Sequence, residues 1–82
     1  MIVYHVTSFK KLMRYYRQGC ILPPVRAWTD IYEAIRFSIQ TGRPIIIRLK
    51  FPDDAQRLIG HNGKAVISNS PIQIENLLGK PK

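Results

Sequence analysis

Two histidines, one cysteine and five carboxylates are the residues of this 82-residue chain equipped for metal, nucleophilic or acid–base chemistry. Their spacing argues against most of it. His5, His61 and Cys20 are scattered, and none of the short ligand spacings of a metal site occurs, so no metal is expected. Cys20 stands beside Ile21 and Leu22, surroundings that suit a buried, inert thiol better than a thiolate nucleophile. Asp30 and Glu33 have the spacing of a helix-capping box, and Asp53 and Asp54 follow Pro52 where a helix could start. That leaves few carboxylates for a paired acid–base mechanism. The side chains best suited to recognition are concentrated in Tyr4-His5-Val6-Thr7-Ser8, where a phenol, an imidazole and two hydroxyls can stack on a ligand and hydrogen-bond to it.

The elements that must position these residues follow from local pattern. Ile2, Val3 and Val6 make the opening run a strand, and alternation sends Tyr4 and His5 to opposite faces. Ser8 or Thr7 can cap a helix through Gln18, in which Phe9, Leu12, Met13 and Tyr16 recur at one apolar face. Gly19 stands where a left-handed C-terminal cap is expected. Pro23 and Pro24 break the chain before a short strand at Val25–Trp28. A second helix is predicted from about Asp30 to Gln40; its wide apolar arc of Ile31, Ala34, Ile35, Phe37 and Ile39 makes it the more buried of the two.

Pro44 to Phe51 alternates as the clearest strand, and Pro52 ends it. One or two helical turns are expected over 53–59, a turn at Gly60-His61-Asn62-Gly63, a strand over 64–68, a break at 69–71 and a closing helical turn near 74–78. The predicted order is β-α-β-α-β-turn-β-short helix. Such short connections favour an α+β fold with a small mixed or antiparallel sheet and two packed helices, in a single domain spanning 1–82.

Composition bounds the partners. Thirteen Lys and Arg against five Asp and Glu give a net charge of +8, which favours a polyanion such as RNA or DNA. The single cysteine permits no intramolecular disulfide and fits a reducing cytoplasm. No apolar run approaches the ~20 residues of a membrane span, and no membrane association is expected. A domain this small has a thin core and is also a candidate for homodimerisation.

The opening Tyr4-His5-Val6-Thr7-Ser8 is followed by Gly19 after the first helix, then by Trp28-Thr29-Asp30 and a helix carrying Ala34 and Phe37. In this order the motifs resemble the ADP-ribosyltransferase fold, including its small RNA- and DNA-directed relatives. The 45–51 strand, Ala65-Val66-Ile67-Ser68 and the run from Ser70 to Leu77 continue the resemblance over nearly the whole chain. The resemblance implies a nucleotide cleft for NAD or a nucleic-acid end. His5 would bond the ribose with Thr7 or Ser8 beside it, Trp28 and Thr29 would lie near the nicotinamide end, and Tyr32 would line the cleft. The superfamily places an acidic residue at the start of its closing strand, where this chain reads Asn62-Gly63-Lys64-Ala65. ADP-ribose transfer would then depend on a carboxylate that the sequence does not place, and Glu75 matches the closing turn structurally.

A second stretch, Leu58-Ile59-Gly60-His61-Asn62-Gly63-Lys64, resembles the Gly-x-x-Gly loop of KH domains. In that family the loop brings backbone amides to nucleic-acid phosphates. The alternative to a nucleotide cleft is therefore a non-enzymatic RNA- or DNA-binding module. It would use the basic helix face of Lys10, Lys11, Arg14 and Arg17, together with Arg57, Gly60, Gly63 and Lys64.

Overall fold

A computed structural model describes residues 1–74. Its strands are β1 (Ile2–Thr7), β2 (Cys20–Ile21), β3 (Val25–Trp28), β4 (Ile45–Lys50), β5 (Gln56–Arg57), β6 (Ala65–Ser68) and β7 (Ile72–Gln73). The helices are α1 (Phe9–Gln18) and α2 (Ile31–Thr41), with a short 3₁₀ turn at His61–Gly63. Five strands form one sheet in the order β4-β1-β3-β6-β5, and β2 pairs with β7 in a second, two-stranded sheet. Every pairing is antiparallel, so the fold is α+β.

Local chemistry sets the helix ends. The Ser8 hydroxyl accepts from the Lys11 amide at the start of α1, and Asp30 accepts from the Tyr32 amide at the start of α2. Gly19 and Gly42 take the left-handed conformation that stops each helix. Glu33 does not reach back to complete a capping box; it lies 3.9 Å from Arg36 instead.

Register decides which strand residues meet. Val3, His5 and Thr7 stand opposite Leu49, Ile47 and Ile45, and Val3, Ile47 and Leu49 build the core with Val25, Val66 and Phe51. Leu12 packs α1 onto this core, with Tyr15 against it. Trp28 pairs with Tyr4 and therefore belongs to the alternate face, where Phe37 of α2 meets it at a ring separation of 5.6 Å.

Several local expectations are corrected. The predicted helical turns over 53–59 are a turn followed by β5, because Gln56 and Arg57 pair with Ile67 and Val66. The two-residue strands β2 and β7 arise from tertiary pairing, without enough length to show a pattern. α2, by contrast, is the more buried helix, as expected: Ala34 is buried and Ile31, Glu33, Phe37 and Ser38 are half-buried, whereas α1 has Leu12 buried and Tyr15 half-buried. The apolar face expected of α1 is largely outside, with Phe9, Met13 and Tyr16 exposed. The closing turn expected near 74–78 lies outside the described residues beyond Ile74.

Candidate functional site

β1 and β3 touch in register only at Tyr4 and Trp28. From there β1 stays with β4 along six paired residues, while β3 stays with β6 along four. The two halves of the sheet therefore part, and the gap opens into a cleft of about 560 Å³. His5 stands at the parting: its Nδ1 lies 2.6 Å from the carbonyl oxygen of Arg26, so a side chain links strands that no longer share a backbone ladder.

The proton positions on His5 follow from its partners. A carbonyl only accepts, so Nδ1 carries the hydrogen and donates to Arg26. In the neutral ring Nε2 is then an acceptor, and the Tyr15 hydroxyl donates to it over 3.1 Å. Thr7 lies 3.4 Å from the same hydroxyl and donates to its oxygen. A directed chain results, running from Thr7 through Tyr15 and His5 to the Arg26 carbonyl. Burial pushes the His5 pKa below its ordinary 6.5, and the positive charges of Lys11 and Arg43 push the same way against the opposing pull of the Arg26 carbonyl. His5 is therefore neutral at pH 7, with both ring nitrogens occupied. It is a positioned polar group, not a free base.

Aromatic surface and positive charge form the walls. Trp28 lies between Phe37 and His61, meeting the His61 ring edge-on at 5.3 Å. Lys11, Arg26 and Arg43 supply cations, and Leu58 and Ile59 form an apolar rim. Among the described residues lining the cleft there is no carboxylate. Such walls suit a ligand that combines planar rings with phosphates.

His61 reaches Trp28 through unusual backbone. Gly60, His61, Asn62 and Gly63 all have positive φ, and the turn connects strand β5 to strand β6. Glycine is required most at Gly60, whose φ of 88° and ψ of −165° suit almost no other residue.

Of the residues singled out in the sequence for a nucleotide, the cleft brings together His5 and Trp28. Thr7 is buried and reaches the site only through Tyr15. Ser8 caps α1, Thr29 bonds the Lys64 carbonyl, and Tyr32 is exposed on α2 outside the lining. Of those singled out for nucleic acid, Lys11 lines the cleft, while Lys10, Arg14 and Arg17 are exposed on α1. Arg57 donates to the Gly63 carbonyl at 2.7 Å, and Lys64 lies 3.1 Å from Asp30. Gly60 and Gly63 shape the β5–β6 turn.

Sequence reasoning did not select Tyr15, Arg26, Phe37, Arg43 or His61 as ligand contacts. Tyr15 lies off the apolar stripe of its helix and carries no charge, so nothing local marks it. A ring beside two glycines was the available signal for His61. Cys20 is half-buried in β2, and no cluster of three metal-ligating side chains exists among the described residues. None of their helices is long and apolar enough to cross a membrane.

In comparisons with protein-family models, with curated proteins and with solved structures, nothing matches this chain.

Proposed function

We propose that the cleft between the parted halves of the sheet recognises a nucleotide, either NAD or the terminal nucleotide of a nucleic acid. The observation that carries this reading is the lining itself: rings from Trp28, His61 and Phe37 beside cations from Lys11, Arg26 and Arg43, with no carboxylate among the described lining residues. A planar base would stack against the rings, and the phosphates would meet the cations. His5 would present its fixed ring to the sugar. The resemblance to ADP-ribosyltransferases supports the same assignment and names NAD as the dinucleotide to try first. The residues fit it: two ring systems and a pyrophosphate match the two kinds of wall. No transfer step is assigned, since that chemistry requires a carboxylate in the cleft.

Trp28 is the only tryptophan, so its fluorescence reports the site without a label. Titration with NAD, ADP and a 5′-phosphorylated oligonucleotide should change it saturably, with Trp28→Ala abolishing the signal and His5→Ala weakening binding measured by calorimetry. An unchanged signal and no heat at millimolar concentrations of all three ligands would remove the proposal.

A second reading, a non-enzymatic RNA- or DNA-binding module, is favoured by one observation. Lys10, Arg14 and Arg17 share an exposed face of α1, a helix with no acidic residue. Its signature is an oligonucleotide affinity that survives Trp28→Ala but falls on charge reversal of Arg14.

A further inference from the structure

The outer surface of α1 carries two adjacent stripes. Phe9, Met13 and Tyr16 are 63%, 45% and 42% exposed, and their i, i+4, i+7 spacing aligns them along the helix. Lys10, Arg14 and Arg17 have the same spacing, displaced by one residue, and are also exposed. The inward side of the helix is held by Leu12 and Tyr15. With both ends capped, the striped surface is preformed.

A nucleic-acid backbone would engage the cations and leave the apolar stripe in water. A second copy of the chain is a poor match because it offers few negative charges. Of five acidic residues, Asp30, Glu33 and Asp53 already face Lys64, Arg36 and the Met1 amino group. A membrane would have to take the apolar stripe from a helix whose cations lie along one side of it only, with the folded core on the other. The surface instead has the layout of one half of a helix pair, in which an apolar seam is flanked by a line of charge.

We propose that α1 is a docking surface for an acidic amphipathic helix of another protein, whose apolar seam covers Phe9, Met13 and Tyr16 while its carboxylates face Lys10, Arg14 and Arg17. This assignment is independent of what the cleft binds. It competes with the second reading for Lys10, Arg14 and Arg17, and an oligonucleotide that displaces the acidic helix would overturn it.

A labelled helical peptide with leucines spaced i, i+4, i+7 and i+11 and glutamates on the flanking positions is the probe, with a lysine-for-glutamate version as control. Fluorescence anisotropy with the full chain should show saturable binding of the acidic peptide only, and amide shift changes should map to 9–17. Met13→Ser and Arg14→Glu, both at exposed positions, should each weaken binding by about tenfold or more, with unchanged thermal stability showing that the fold is intact. The proposal is overturned if the acidic peptide fails to bind at millimolar concentration, or if binding is unaffected by both substitutions. It is equally overturned if the Phe9–Tyr16 stripe is instead covered in a dimer that Met13→Ser dissociates, or if anionic vesicles displace the peptide and protect the same amides.

Discussion

Removing one oxygen from Tyr15 tests the arrangement around His5 directly. Tyr15→Phe deprives His5 Nε2 and the Thr7 hydroxyl of their shared partner in a partly buried setting. Unfolding in urea should show a loss of about 1–3 kcal/mol. The pH dependence has a definite sign. His5 has a lowered pKa in the fold, so above its ordinary value of 6.5 it is neutral in both folded and unfolded chains. Below 6.5 the unfolded chain takes up a proton that the folded site resists, and stability declines until the pH has passed the lowered folded value. As the pH falls below 6.5 the wild type should therefore lose stability more steeply than His5→Gln. Asp30 and Asp53 also have lowered pKa values, from their hydrogen bonds to the Tyr32 amide and the Met1 amino group, and their contributions fade only at more acidic pH. At this scale the sequence singled out three side chains that line the cleft, His5, Lys11 and Trp28. It offered no sign of Tyr15, whose role depends on a hydroxyl meeting partners on a different element.

Among the elements, the β5–β6 turn and the helix caps carry distinct predictions. Nothing lies within 4 Å of where a Cβ would stand at Gly60 or Gly63, so substitution there is governed by backbone conformation alone. Gly60→Ala should cost about 1–3 kcal/mol and Gly63→Ala about 1–2 kcal/mol, measured by thermal or urea unfolding. Gly60→Ala should also disturb the cleft, since the turn carries His61 to Trp28. Ser8→Ala removes the α1 cap and should cost about 1 kcal/mol. The caps were legible because they are local: Ser8, Gly19 and Asp30 act on amides and carbonyls a few residues away. β5 was not legible, since Gln56 and Arg57 are extended only because β6 is there to pair with them. The same holds for β2 and β7, whose residues are strands only in each other's presence.

For the molecule as a whole, charge is the organising quantity. If a nucleic-acid end enters the cleft, log affinity should fall linearly with log salt, with a slope near ~0.7 for each phosphate of a single strand that the cations neutralise. Oligonucleotide titrations across a salt series check this, and Arg43→Ala should reduce the slope by about one such unit. An affinity indifferent to salt would show that the excess positive charge has no part in binding.

The sequence by itself determined the α+β composition, the extents of both helices and the strongest strands, and the basic character of the surface. Those properties depend on periodicity, caps and counts, all of which act over a few residues or none. Tertiary structure decided which way α1 turns. The apolar stripe predicts Phe9, Met13 and Tyr16 inside, yet Tyr15 is drawn inward by His5 and Thr7, leaving those three exposed. It also decided that β1 and β3 part after Tyr4 and Trp28, because each strand has a longer partner on its other side. His5 is interesting in the sequence as a polar ring on a strand. It becomes part of a site because the sheet divides beside it, bringing rings and cations from distant parts of the chain to one cleft.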